Sequence, residues 1–163
     1  MDRKNEEILM PIKSFRGLIA GSDDGGSDKI SLHTNTGSTG YRIKKLQIIQ
    51  KSPGAVNCEG LVVIWKIPPT TVQIAQKTID LSDNTILAVG FYSAQTSAQT
   101  YSEDMTIIFD NETFNQDIYV TYIDVATSND GMNYYIELEK ITLDLNENTL
   151  ATLQDIRNVN SQT

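Results

Sequence analysis

Along the middle of the chain, apolar side chains recur at every second position in short runs, and clusters of Gly, Pro, Asn, Asp and Ser separate the runs. A period of two is the spacing of one face of a β-strand. YRIKKLQIIQ (41–50) therefore predicts a strand, and KSPG after it a turn with Pro53 and Gly54 at its centre. EGLVVIWKI places Leu61, Val63, Trp65 and Ile67 on one face and Val62 and Ile64 on the other. Apolar residues on both faces predict a strand buried on both sides, with Trp65 in the core. Pro68 and Pro69 end it, since neither has an N–H for a ladder. TTVQIAQKTIDL is expected to resume as strand, SDN to turn, and TILAVGFYSA to form another strand. QTSAQTYSED reads as a polar loop, followed by a short strand in MTIIFD and a turn in NETFN.

The best-defined segment is NQDIYVTYIDVATSNDGMNYYIELEKI, residues 115–141. Ile118, Val120 and Tyr122 alternate against Tyr119, Thr121, Ile123 and Val125, and SNDG tolerates positive φ, so the pattern predicts a hairpin. On the second arm Ile136 and Leu138 share a face, whereas Ile141, Leu143 and Leu145 fall at the opposite parity. A strand changes parity only through an extra residue, which predicts a β-bulge near Glu139–Lys140. Upstream, short strands are expected over 15–19 and 29–33, the latter inside a punctuating stretch rich in Gly, Ser, Asp and Thr (21–40). At the other end the period changes to three, with Leu150, Leu153 and Ile156 following a cap at Asn148 or Thr149. That predicts a short amphipathic helix.

Roughly eight short strands without intervening helices predict an all-β fold, an antiparallel β-sandwich of jelly-roll type. The Cys–Trp–Cys framework of immunoglobulin domains is absent, because Cys58 is the single cysteine. The expected division is an extended N-terminal arm over 1–14, a sandwich domain over 15–147, and a short C-terminal helix and tail over 148–163. No repeat of 20–50 residues is visible.

Composition and charge narrow the chemistry. The net charge of -8 opposes binding to a phosphate backbone, so no nucleic-acid partner is expected. The basic stretch RIKK (42–45) is short, and strict alternation would split it between two faces. One cysteine excludes an intrachain disulfide. The charged start MDRKNEEILM does not read as a signal peptide, and the longest apolar run, LVVIW, is far too short to span a bilayer as a helix. The reading is a soluble chain made in a cytoplasm, with no membrane partner.

Candidate sites are thin. Asp23, Asp24 and Asp28 in GSDDGGSDKI could hold calcium, a cation that takes carboxylate oxygens, but their spacing misses the EF-hand pattern. A solvated turn is the stronger reading, and no cofactor is expected. His33 is the single histidine, which excludes a multi-histidine zinc site, and no Gly-x-Ser-x-Gly elbow accompanies it. Cys58 reads as a small buried filler rather than a nucleophile. The pairs Glu103/Asp104 and Asp110/Glu112 have the residue types of glycosidase acids, yet such pairs are frequent among 21 acidic residues. Asn111–Glu112–Thr113 matches a glycosylation acceptor, relevant only on a eukaryotic secretory route. Tyr119, Tyr122, Tyr134, Tyr135, Phe91, Tyr92 and Tyr101 could include a sugar-binding platform, though tyrosine is common in strands for packing reasons. No phosphate loop or dinucleotide fingerprint occurs. No catalytic residue is assigned.

The segments TIDLSDNTILAVGFYS, MTIIFDNETFNQDIYVTYIDV and MNYYIELEKITLDLNENTLATLQDIRN resemble a family of small virion structural proteins of marine bacteriophages and related environmental viruses. IKSFRGLIA and GSTGYRIKKLQII are similar to it as well, so the resemblance spans about residues 12–158. It implies a β-sandwich located in the virion and carries no catalytic residues. The expected role is a capsid decoration or cement protein, self-associating as a homotrimer and contacting the major capsid protein. The apolar stretch of the arm, Ile8, Leu9, Met10, Pro11 and Ile12, would be the clasp. Two other readings follow: a tail-associated or fibre protein that binds host glycans through its Tyr-bearing loops, and a carbohydrate-active jelly-roll enzyme.

Overall fold

The strand expected to be buried on both faces lies at the centre of a sheet. In a computed structural model, which describes residues 11–32, 38–94, 103–109, 112–126 and 128–143, β4 (Cys58–Trp65) runs between β7 (Ile118–Asp124) and β5 (Ile86–Ala94). With β2 (Gly26–Ile30) and β6 (Glu103–Ile108) at its edges, this sheet has the order β2-β7-β4-β5-β6. A second, three-stranded sheet has the order β1-β8-β3, from β1 (Ile12–Ile19), β8 (Met132–Thr142) and β3 (Thr39–Gln50). All pairings are antiparallel.

The pairings nest. The first strand lies beside the eighth, the second beside the seventh, and the fourth beside the fifth, as when one long hairpin is rolled up into two sheets. This is the jelly-roll arrangement, and the fold is an all-β sandwich as expected. The third nested pair is only begun. β6 pairs with β5 instead, and beside β3 stands a bridge at Phe114. Tyr41 N–H donates to Phe114 C=O at 2.8 Å, Phe114 N–H donates back at 3.0 Å, and the two rings stack at 6.2 Å.

The inward faces of both sheets form one core, which includes Ile43, Leu46, Ile64, Tyr122, Ile136 and Leu138. A second apolar cluster lies on the other face of β4, where Leu61, Val63 and Trp65 join Ile86, Val89 and Ile123. The Trp65 Nε1–H donates to Thr121 Oγ1 at 2.8 Å, which satisfies the indole inside that cluster.

Several local expectations are corrected. The segment 115–141 is not a hairpin: β7 belongs to the larger sheet and β8 to the smaller. The connection 125–131 is long enough to cross the roughly 10 Å between packed sheets, and its turn residues serve an arch as well as a hairpin. Asn129 takes a positive φ of 55°. Asp130 holds the far side: Ser52 N–H donates to its Oδ2 at 2.9 Å, and Tyr122 Oη–H donates to its carbonyl at 2.6 Å. Burial alone would raise the Asp130 carboxyl, but hydrogen bonds from Gln50, Ser52 and Gly131 outweigh it and hold the group below the ordinary carboxylate range.

β8 carries no bulge at Glu139–Lys140. The register shift lies across from it, on β3 between Ile43 and Lys45, where Lys44 is the extra residue. The parity switch was present in β3 too, from Tyr41 and Ile43 to Leu46 and Ile48. The bulge leaves Lys44 and Lys45 both exposed, so the basic stretch is not split as simple alternation predicted. Leu143 is buried after the strand has ended, against Gly40, where an added Cβ would lie 2.9 Å from the leucine side chain.

The stretch expected as strand over 70–81 instead holds α1 (Thr71–Ala75) and irregular chain. Thr70 and Gln73 form a capping box: Gln73 N–H donates to Thr70 Oγ1 at 3.2 Å, and Thr70 N–H to Gln73 Oε1 at 2.9 Å. Thr-x-x-Gln after two prolines is a helix-start signature, and it outweighs the β-branched residues around it. α1 seats on the turn before β2. There Gly25 has φ +74°, and an added Cβ would stand 2.4 Å from the Ile74 carbonyl oxygen.

Boundaries shift as well. β1 begins at Ile12, so Ile12, Lys13 and Ser14 pair with Glu139, Leu138 and Glu137 rather than belonging to a free arm. β2 sits earlier than the strand predicted over 29–33, and Glu103 and Asp104 belong to β6 rather than to the loop before it. The helix expected over 148–158 lies outside the described residues. Among the described residues no helix is long and apolar enough to cross a membrane.

Candidate functional site

The three-stranded sheet shows its outer face to solvent, and the antiparallel register aligns that face in cross-strand rows. One row is Arg16, Tyr135 and Gln47; the next is Leu18, Asn133 and Ile49. Between them run Gly17, Tyr134 and Ile48, whose side-chain positions point inward and whose backbone forms a floor. A depression of about 670 Å3 lies over this floor, lined by Arg16, Gln47, Ile49, Asn133 and Tyr135 with the three floor residues.

Its shape has local causes. Tyr135 Oη–H donates to Glu137 Oε1 at 2.8 Å, so the ring leans along β8 away from Asn133. That hydrogen bond to a carboxylate, with a smaller effect of burial, raises the phenol above its ordinary range and keeps it protonated. Beneath the floor, the Tyr134 ring passes under Gly17, where an added Cβ would meet it at 2.6–2.9 Å. Its hydroxyl continues to Asp28 Oδ2 on β2 at 3.0 Å, which ties the two sheets together at this point. The side chains of Arg16, Gln47 and Asn133 make no hydrogen bond or ion pair with any described residue. At the rim, Leu18 and Ile49 are 46% and 52% exposed.

The residues singled out from the sequence are distributed elsewhere. Asp23 Oδ1 accepts from Asn129 Nδ2 at 2.7 Å, while Asp28 is engaged by Tyr134. Asp24 sits in the turn between, its N–H donating to Ser22 Oγ at 3.1 Å. The three carboxylates do not converge, and among the described residues no three His, Cys, Asp or Glu side chains form a group that could hold a metal ion. Glu112 Oε2 faces Lys66 Nζ at 3.5 Å. His33, Tyr101, Asp110, Asn111 and Ile8–Met10 of the arm lie outside the described residues. Pro11 lies just before β1, its carbonyl accepting from Lys140 N–H at 3.0 Å, and Ile12 is exposed on the strand.

The aromatic set does not form one platform. Tyr92, Tyr122 and Tyr134 are core residues, Tyr134 adding to the floor of the depression from below, Tyr119 and Phe91 lie on the far face of the larger sheet, and Tyr135 lies on the outer face within the depression. Arg16, Gln47 and Asn133 drew no attention in the sequence. Alternation marks each as outward-facing, but their meeting depends on β8 lying between β1 and β3.

Cys58 is fully buried, its Sγ 3.7 Å from Tyr122 Oη. Burial pushes its thiol up to about 11, and it pushes the Tyr122 phenol upward too. A protonated, enclosed thiol is a poor nucleophile. Iodoacetamide at pH 8 is expected to leave Cys58 unmodified in the native protein and to alkylate it fully in denaturant, read by intact mass. Prompt native labelling would show that this part of the core opens.

No family model and no curated protein matches the chain. Among solved structures, it is similar to VP1 of Trichodysplasia spinulosa-associated polyomavirus, determined in complex with 3'-sialyllactose. The TM-score is 0.39 and the sequence identity 8%, over 79% of this chain and 93% of that one.

Proposed function

We propose that the chain is a bacteriophage virion structural protein that decorates or cements the head, associating as a homotrimer and contacting the major capsid protein. Its work would be done by surfaces. The observation that carries this reading is the edge of the smaller sheet: β1 is the first strand among the described residues, and Ile12 at its start is 55% exposed. An edge strand offers backbone N–H and C=O groups that a neighbour in an assembly can cover. The family resemblance over residues 12–158 points the same way. Contacts made only in the assembled particle stabilise it by linkage.

Two measurements test this. Quantitative mass spectrometry of purified particles should give about one copy per capsid subunit; a handful of copies would place the protein at the tail or a vertex, and absence would end the virion reading. Removal of the clasp should stop at Met10, because Ile12–Ser14 are part of the β1–β8 ladder. A chain lacking residues 1–10 is expected to keep its melting temperature and to lose head binding. Undiminished binding would dissociate the arm from the role.

A further inference from the structure

We infer that the depression on the outer face of the smaller sheet is a saccharide-binding site, which takes one pyranose ring of an oligosaccharide against Tyr135, Asn133, Gln47 and Arg16. It does not rest on the capsid reading, since binding by the isolated protein decides it.

Four observations converge. The volume, about 670 Å3, falls in the range of small-molecule sites and exceeds what one amino-acid side chain fills. The lining is chemically mixed in the way a sugar requires. A pyranose has an apolar C–H face, which suits an aromatic ring, and a rim of hydroxyls that both donate and accept. Tyr135 supplies the ring, anchored at its hydroxyl by Glu137, so little is lost in ordering it. Asn133 and Gln47 supply amides that donate and accept from the same group, and Arg16 supplies a planar set of donors. These three polar side chains make no hydrogen bond or ion pair with any described residue. They also come from three different strands, so a rigid sheet holds their spacing.

The same polar groups decide against an apolar protein surface as the occupant. Burying an amide or a guanidinium without a partner costs several times what a hydrogen bond returns, and Arg16, Asn133 and Gln47 would all be covered at once. A polyhydroxylated ligand offers each a partner. Ile49, half exposed at one side, then forms a short apolar wall beside the ring.

The test uses the full chain on a printed array of neutral and uronate-containing oligosaccharides, followed by calorimetric titration with the strongest binder in free form. One group of probes sharing a terminal pyranose is expected to bind. Arg16→Ala, Asn133→Ala and Tyr135→Ala should each weaken it by about tenfold, the scale of one hydrogen-bonding or stacking contact. Val72→Ala, at an exposed position on α1, should leave it unchanged. All four positions are on the surface, and unchanged melting temperatures would exclude unfolding as the cause. A blank array overturns the inference, as does binding that survives the three substitutions. A blank array together with loss of head binding by the same variants would instead make this face a protein contact.

Discussion

Replacing Ile136 with alanine is expected to cost the fold about 4 kcal/mol, near the upper end for a large-to-small change in a core. Ile136 is 0% exposed and lies on the central strand of the smaller sheet, with Phe15 beside it on β1 and Leu46 on β3. Its side chain faces the larger sheet and belongs to the main core cluster. Both flanking strands are held by their ladders to β8, so the cavity left by the substitution cannot close by a strand shifting sideways. The cost is then the lost transfer energy plus that of the residual void. For a domain of this size each kcal/mol moves the melting temperature by roughly 2–4 °C, so a drop of about 10 °C is expected. Ile141→Ala, on the same strand but outward-facing, should cost under about 1 kcal/mol. Urea unfolding of both variants makes the comparison. Equal small losses would mean that the inward face of β8 is not packed as described.

The second large effect is expected at Asp124, where the chain leaves β7 to cross between the sheets. Its carboxylate is buried and accepts from Glu59 N–H at 3.2 Å, from Ala126 N–H at 2.9 Å and from the Ser128 hydroxyl. The single Ser128 hydroxyl proton lies within reach of both the Asp124 carboxylate and the Asn57 carbonyl, so the group joins the start of β4 to the first turn of the crossing. Asp124→Ala removes the acceptor of the Glu59 and Ala126 amides, while the Ser128 hydroxyl keeps the Asn57 carbonyl. Both amides are only part-buried, so at the lower part of the 1–3 kcal/mol range for each donor left unsatisfied a loss of about 2–3 kcal/mol is expected. Asp124→Asn keeps one oxygen and should lose about half as much. Hydrogen exchange gives a sharper reading, because the amides of Glu59 and Ala126 should lose protection before those of β4's centre. A loss below about 0.5 kcal/mol, the scale of an ordinary surface substitution, would show that the crossing is held by its other contacts.

Much of the strand inventory was legible because its cause is local. Val62 and Ile64 alternating with Leu61, Val63 and Trp65 can be buried only if both faces of β4 are covered, and that can be read from the residues themselves. The turn at Pro53–Gly54 and the stop at Pro68–Pro69 are similarly local. So was the cap at Thr70, although β-branched neighbours drew the reading toward strand when Thr-x-x-Gln should have decided it. The bulge was legible as a parity conflict, but such a conflict can be resolved on either member of a pair, and in this chain β3 resolves it at Lys44.

Alternation thus determined that this protein is all β, where most of its strands run and which side chains on each face a core. Only the tertiary structure decided which strands are neighbours. Side-chain period says nothing about whether β8 follows β7 into the same sheet or arches over to the other, because both arrangements bury the same residues. The difference lies in how eight strands together cover two faces, a property of the whole chain. The depression over Gly17, Tyr134 and Ile48 exists for that reason alone: Arg16, Gln47 and Asn133 are far apart in sequence and become neighbours only because the jelly-roll nesting lays β8 between β1 and β3.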